Sequence, residues 1–291
     1  MIEIAVFVVF VCLLLVFLIP PEQIQVLASE PTFPIGLSSY PIDTENLVNV
    51  IELMDYNGLN THRLSFNPEW FTNKPRPYNA SIVQYVLDNS NHMVIVDRNH
   101  LYPPTQSSAS SAKKNWDLVR NSTFEVLAAW PNNSRVAVEL INEYISKDFY
   151  PLMQQLISDI RDAGYTNPIV VNKCDQPWTK LDDPLDNTFQ GYHFYFNYWS
   201  VSGAILQMKI ALSRGIKIIN TEVGADSRES RYFTVDTVNE LNDFLNQSAS
   251  LGVGNCVWMV ERLSNWAAYQ SLGLTFPVDS QANTLYDILL S

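Results

Sequence analysis

From residue 33 onward, short runs rich in β-branched and aromatic side chains alternate with longer runs whose apolar residues recur at helical spacing. The short runs are FPIGLSS from 33, LNTHRLSF from 59, HMVIVDRN from 92, VAVELIN from 136, PIVVNK from 168, FQGYHFY from 189, KIINTEVG from 217 and GNCVWMV from 254. Most are apolar on both faces, as strands covered by helices must be. Between them, residues 44 to 58 set Leu47, Val50, Ile51 and Met54 on one helical face and stop at Gly58; residues 150 to 165 and 234 to 252 repeat the arrangement, each with Gly just past the last apolar position. The fifth unit is weaker: QPWTKLDDPLDN, from 176, carries two prolines and predicts a loop or a single helical turn. PPTQSSASSAKK, from 103, predicts a long polar loop after the third strand. No internal repeat or interior linker divides this stretch. Eight βα units in succession predict a single α/β domain, a (β/α)8 barrel over residues 35–291.

The first nineteen residues form an apolar run broken only by Glu3, which predicts a leader over 1–28, either a cleaved signal peptide or a retained membrane anchor. Ala28 in VLASE offers small-residue spacing for cleavage, but no Lys or Arg precedes the run; residues 29–34 read as a linker. The expected location is outside the cytoplasm, secreted or tethered at the cell surface. In such a compartment Cys174 and Cys256 could form a disulfide, and the sequons at Asn79, Asn121, Asn132 and Asn246 would permit glycosylation.

With 47% hydrophobic residues in a chain of 291, there is material for one large core. Thirty acidic against eighteen basic groups leave a formal charge of −12, which repels polyanions and argues against nucleic acid as a partner. A neutral polysaccharide meets no such repulsion, and the 7 Trp and 14 Tyr are side chains able to stack on sugar rings. No CxxC or His-rich cluster suggests a metal, no organic cofactor is expected, and a monomer is the expected state.

Candidate chemistry starts at Glu143. If VAVELIN is the fourth strand, Asn142 and Glu143 stand at its C-terminal end, the rim on which barrels build active sites. Burial next to branched core residues favours the neutral acid, the form needed to protonate a leaving oxygen. By itself a Glu after a strand is more often a solvated loop group. A second buried run, KIINTEVG, delivers Glu222 three strands further round, and glycoside hydrolysis requires such a pair of opposed carboxyls.

INE at 141–143 and TEVG at 221–224 resemble the acid/base and nucleophile strands of clan A glycoside hydrolases, most closely family 5, the cellulase and mannanase group. Other family hallmarks follow in order: Arg63 in NTHRLSF, His100 in VIVDRNHLY, His193 and Tyr195 in GYHFY, and Trp258 in CVWM, over roughly residues 33 to 285. Taken singly, an Arg at a strand end is usually an ion pair, a lone His a core histidine, and a lone Trp packing.

The resemblance implies that Glu143 acts as general acid/base and Glu222 as nucleophile, with retention of configuration and carboxyls about 5 to 5.5 Å apart. It implies that Arg63 and the Tyr195 hydroxyl keep Glu222 ionised and that Asn142 binds a sugar 2-hydroxyl. His100 and His193 would line the subsite beside the scissile bond, and Trp258 would form its floor. Tyr144 stands where the family pattern usually has Pro, and several loops are short, as suits an open groove and internal cleavage of a β-1,4-glucan or β-mannan. Exo-action, transglycosylation, an inactive sugar-binding barrel and a tethered structural domain are the alternatives. Trp70, Tyr102, Trp178, Tyr198 and Trp199 fall in expected rim loops, where stacking on sugar and ordinary packing are equally expected.

Overall fold

The structure is a computed structural model; it describes residues 35–39, 44–56, 58–68, 76–100, 106–143, 147–173, 179–195, 200–224 and 235–258. The leader, the linker, Cys174 and the five rim aromatics lie outside these residues. Eight parallel strands close in chain order: β1 (Ile35–Ser39), β2 (Thr61–Ser65), β3 (Met93–Asp97), β4 (Val136–Glu139), β5 (Ile169–Lys173), β6 (Thr188–Tyr195), β7 (Lys217–Gly224) and β8 (Gly254–Trp258), with β8 returning to β1. The helices are α1 (Thr44–Tyr56), α2 (Ala80–Asn89), α3 (Gln106–Lys114), α4 (Trp116–Ala129), α5 (Tyr150–Asp162), α6 (Val201–Ser213) and α7 (Val235–Ser250), and a 3-10 turn covers Lys147–Phe149. This is the expected (β/α)8 barrel.

The side-chain alternation of each strand separates two cores. Outward residues such as Val94, Val96, Val136, Val138, Ile169 and Val171 pack under α2, α4 and α5, while Leu37, Phe194, Ile218 and Val257 pack under α6 and α7. Inward residues Ile95, Ala137, Val170, Ile219 and Cys256 form a small separate cluster on the barrel axis. Cys256 is a free, fully buried thiol there; Cys174, the partner left open from the sequence, lies outside the described residues. Burial pushes this thiol up to about 12, so it packs as a small apolar group.

Gly58 and Gly164 end α1 and α5 at φ 64° and 86°, the left-handed stop that L side chains avoid. α2 is capped by Asn79, whose side chain accepts from the Ser81 amide, and α6 by Ser200, which accepts from Gly203. All four sequon asparagines are exposed.

Two elements differ from expectation. The polar stretch predicted as a loop contains α3. Beyond Pro104 it has no further Pro or Gly, Lys113 and Lys114 sit in the last turn where cations favour the helix dipole, and Ala112 is fully buried as an anchor. Polarity there does not exclude a helix. The β4 ladder ends at Glu139, three residues before the predicted Asn142. The Leu140 amide still bonds the Val170 carbonyl and the Asn142 amide bonds the Asn99 carbonyl, so the chain stays tied to its neighbours while leaving the ladder. In the weak fifth unit, residues 179–187 contain turns and no helix, as expected. Among the described residues no helix is long and apolar enough to cross a membrane.

Candidate active site

Above the apolar cluster the barrel interior turns polar, and its hub is Arg63 on β2, a guanidinium with no exposed surface. A buried charge is tolerated only when paired and hydrogen-bonded. Arg63 meets that condition from several strands at once. Its Nε and Nη2 form a fork on the Glu139 carboxylate at 2.6 and 2.5 Å; Nη1 reaches Glu222 Oε1 at 2.7 Å and Ser38 at 3.1 Å; Nη2 also reaches Asp97 at 2.9 Å and Asn142 Oδ1 at 2.8 Å. Burial opposes the charge on Arg63, but Glu139, Asp97 and Glu222 outweigh it and hold the group protonated. Three carboxyls thus share one guanidinium. Burial pushes Glu139 up to about 7, with the Asp97 charge adding to the rise and Arg63 pulling against it.

Glu222 reaches this site because β7 is irregular. Counting from inward Ile219, strict alternation would turn Glu222 out toward the helices. The register with β6 instead jumps, pairing Tyr192 with Asn220 and His193 with Glu222, and the register with β8 shifts over the same residues. The extra residue lets both Thr221 and Glu222 face the interior, the re-aiming that bulges perform beside active sites. Glu222 Oε2 accepts from the Tyr195 hydroxyl at 2.5 Å, and its other oxygen accepts from Arg63. Burial disfavours its charge, but His193, Arg63, His100 and the Tyr195 hydrogen bond prevail and hold it well below the usual carboxylate range, at about 2. Burial and the facing carboxylates push Tyr195 far up, so its hydroxyl remains a donor.

Glu143 comes from the other side of the mouth, half-buried, with φ 44°, a left-handed conformation that a non-glycine residue adopts only where its surroundings enforce it. Its Oε1 lies 2.8 Å from His193 Nδ1, the same nitrogen that is 3.3 Å from Glu222 Oε2. One carboxylate oxygen of Glu143, one of Glu222 and a His193 nitrogen all lie within 4.8 Å of one another. Burial lowers His193, but Glu222, the hydrogen bond to Glu143 and the Glu143 charge outweigh it, so the imidazole holds a proton more firmly than a free one.

All eight residues singled out from sequence fall in or beside this region. Asn142 contacts Arg63 through Oδ1, while its buried Nδ2 has no partner among the described residues and is left with a hydrogen to donate. His100 donates to or accepts from Asp97 at 2.7 Å through Nδ1, and its ring stacks on Trp258 with centroids 5.7 Å apart. The sequence reading passed over Glu139, Asp97, Asn172 and Thr221. Asn172 on β5 bridges Glu139 through Nδ2 and Thr221 through Oδ1. It does so across Gly191 of β6, where a Cβ would stand 2.2 Å from Asn172 Oδ1. An acid in an otherwise apolar strand at inward parity was the available signal for Glu139 and Asp97.

Glu143, His193 and Glu222 are the one grouping of potential metal-binding side chains among the described residues. Each of these atoms already faces a protein hydrogen-bond partner, and the permanent Arg63 charge lies 2.7 Å from Glu222, which disfavours a second cation. The arrangement is suited to holding and passing protons.

A parallel barrel with two carboxyls converging over a polar axis, and the resemblances below, define the class: this is a glycoside hydrolase. A family model described as cellulase (glycosyl hydrolase family 5) matches residues 29–264, and the chain belongs to that family. Similar solved structures include the catalytic domain of a mannanase from Streptomyces sp. SirexAA-E, at 15% identity and TM-score 0.54, covering 78% of this chain and 74% of that one. A xyloglucan-specific endo-β-1,4-glucanase from a metagenomic library, solved with cellotriose, gives 14% and 0.57 over 88% and 96%. The β-mannanase of Thermomonospora fusca with mannohexaose gives 17% and 0.55 over 78% and 77%. At these identities the likeness shows a shared fold. No curated protein matches by sequence.

Proposed function

We propose that the protein is a retaining endo-β-glycosidase acting on a β-1,4-linked glucan or mannan, with Glu143 as general acid/base and Glu222 as nucleophile. The observation that carries this reading is the approach of the two carboxylates to within 4.8 Å. Retaining enzymes hold their carboxyls about 5 to 5.5 Å apart, whereas inverting ones leave about 6.5 to 9.5 Å for a water. The environments also separate the roles. Glu222 accepts from Arg63 and Tyr195 and is held ionised, as a nucleophile must be; Glu143 meets no guanidinium among the described residues and faces a histidine that can share its proton.

In the first step Glu222 attacks the anomeric carbon as the glycosidic bond breaks, and the proton of Glu143 passes to the departing oxygen. In the second, Glu143 takes a proton from water, whose oxygen attacks the same carbon and releases Glu222. The unpartnered Nδ2 of Asn142 is a donor for the sugar 2-hydroxyl, and the stacked pair of Trp258 and His100 offers a flat, largely apolar wall to a sugar ring. Cellotriose and mannohexaose in the similar structures support both a glucan and a mannan as substrate.

The test is release of reducing ends from a panel of soluble β-1,4-glucans and β-mannans, with product lengths resolved and Glu222→Gln and Glu143→Gln as controls. Internal cleavage that both substitutions abolish is expected. Release of single sugars from chain ends, or turnover surviving in Glu222→Gln, would refute the reading.

A further inference from the structure

The hydrogen bonds running from β5 to the mouth leave one consistent placement of hydrogens. Asn172 Nδ2 contacts Glu139, both of whose oxygens also accept from Arg63, and lies 3.4 Å from Asn142 Oδ1, itself an acceptor for Arg63. With acceptors on that side, the amide must present NH2 there and turn its oxygen to β7, where it accepts from the Thr221 hydroxyl at 3.0 Å. A hydroxyl has a single hydrogen. Once it is committed to Asn172, Thr221 Oγ1 meets His193 Nε2, 3.0 Å away, only as an acceptor. The Nε2 position therefore carries hydrogen whatever the charge of the ring.

We infer that Asn172, acting through Thr221, is a positioning residue that locks His193 with hydrogen on Nε2, so that Nδ1 shares a single proton with Glu143. This rests on the acid/base role proposed for Glu143. With the neutral ring, Nδ1 has a lone pair and can only accept from the Glu143 acid; with the proton moved across, the imidazolium donates to the carboxylate. When Glu143 has given its proton to the leaving sugar, the locked neutral ring offers the carboxylate no hydrogen, which leaves it a stronger base toward water. The opposite tautomer would place N–H against that carboxylate and weaken it.

The groups that act on His193 are Arg63 on β2, Glu139 and Glu143 on and after β4, Glu222 on β7, and Tyr195 on its own strand through Glu222. Among the described residues only Thr221 Oγ1 meets Nε2, so the Asn172–Thr221 relay sets the hydrogen there, while Glu143 and Glu222 both face Nδ1. Gly191 is the opening through which the relay passes, since any Cβ there would occupy the space of Asn172 Oδ1 and crowd Thr221 Oγ1 at 3.1 Å.

The direct test is the imidazole nitrogen spectrum of the full protein labelled with [15N]histidine, His193 being assigned by its loss in His193→Gln. Across the pH range of activity the expected signature is a protonated Nε2, with Nδ1 either unprotonated or in the imidazolium form. A neutral ring with hydrogen on Nδ1 would overturn the inference, and this readout needs no variant to fold other than the one used for assignment. Thr221→Val and Asn172→Ala should move the basic limb of the pH–rate profile down by about one unit, the effect of losing one hydrogen bond to a group that becomes charged. Thr221→Ser should restore it. An unmoved limb in both variants, or no rescue by serine, would also overturn it. Aryl glycosides with a strongly acidic leaving group, which need no proton from Glu143 in the first step, should lose far less in Thr221→Val than the polymer does. Failure of the proposed function would be read separately, as turnover surviving in Glu143→Gln, which leaves the nitrogen spectrum unchanged in meaning.

Discussion

The lower and upper halves of the barrel interior are filled from the same strands by opposite chemistry. Below, Ile95, Ala137, Val170, Ile219 and Cys256 fill the axis with apolar volume. Two residues further along the same strands stand Asp97, Glu139, Asn172, Thr221 and Trp258: Asp97 and Glu139 hold the Arg63 guanidinium, Asn172 ties Glu139 to Thr221, and Trp258 stacks on His100. Each apolar residue below contributes independently through its own contacts, so its loss costs about the free energy of the volume removed. The upper residues satisfy one another. Removing any one leaves another buried polar atom unpaired, and the cost spreads to Glu222 and Glu143. The lower half therefore governs stability and the upper half governs stability and chemistry together.

The sharpest way to break this comparison is at the hub. Arg63→Met should destabilise the fold by about 3 to 5 kcal/mol, because Glu139, Asp97 and Glu222 lose a shared buried counter-charge, and should abolish turnover in whatever folds. Chemical denaturation midpoints and kcat would measure the two effects. Gly191→Ala touches neither carboxylate of the pair, yet the crowding of Asn172 and Thr221 should lower kcat about a hundredfold through misplacement of the groups they support. Its denaturation midpoint would show whether the loss is one of geometry or of folding.

Tyr195→Phe is a finer probe. The hydroxyl donates to the ionised form of Glu222, so its removal raises the Glu222 pKa and should shift the acid limb of kcat/KM toward higher pH. The sign for stability follows from the same depression: folded Glu222 sits near 2, below an unfolded carboxyl at about 4.3, so its stabilising contribution is complete above the unfolded value and lost as pH falls toward the folded one. Acid-induced unfolding of Tyr195→Phe should begin at a higher pH than in the parent. The smallest effect belongs to the lower half. Ile219→Val should cost about 1 kcal/mol with kcat/KM unchanged, and a matching fall in kcat/KM would erase the distinction between the halves.

The periodicity of the chain was enough to read the barrel, because strands covered on both faces and helices closed by glycine leave distinct patterns at Val94–Val96 or Leu47–Met54. α3 escaped because QSSASSAKK offers only two alanines as apolar residues and so carries little helical apolar signal. Most of the contact residues of the site were found through ordered motifs, yet their orientation was not legible. Alternation along β7 points Glu222 away from the axis, and only the bulge, a property of how β6 and β8 hold β7, returns it. Glu139 hid inside VAVEL for a related reason: its partner Arg63 lies 76 positions earlier, so neither residue predicts the other along the chain.

Assignment of the nucleophile can be tested without any substitution. Incubation with an activated 2-deoxy-2-fluoro glycoside should accumulate a covalent glycosyl-enzyme, and digestion followed by mass spectrometry should place the sugar on Glu222 in the peptide that spans β7. A sugar found on Glu143 or Glu139, or no adduct from a protein that turns over the parent glycoside, would contradict the account.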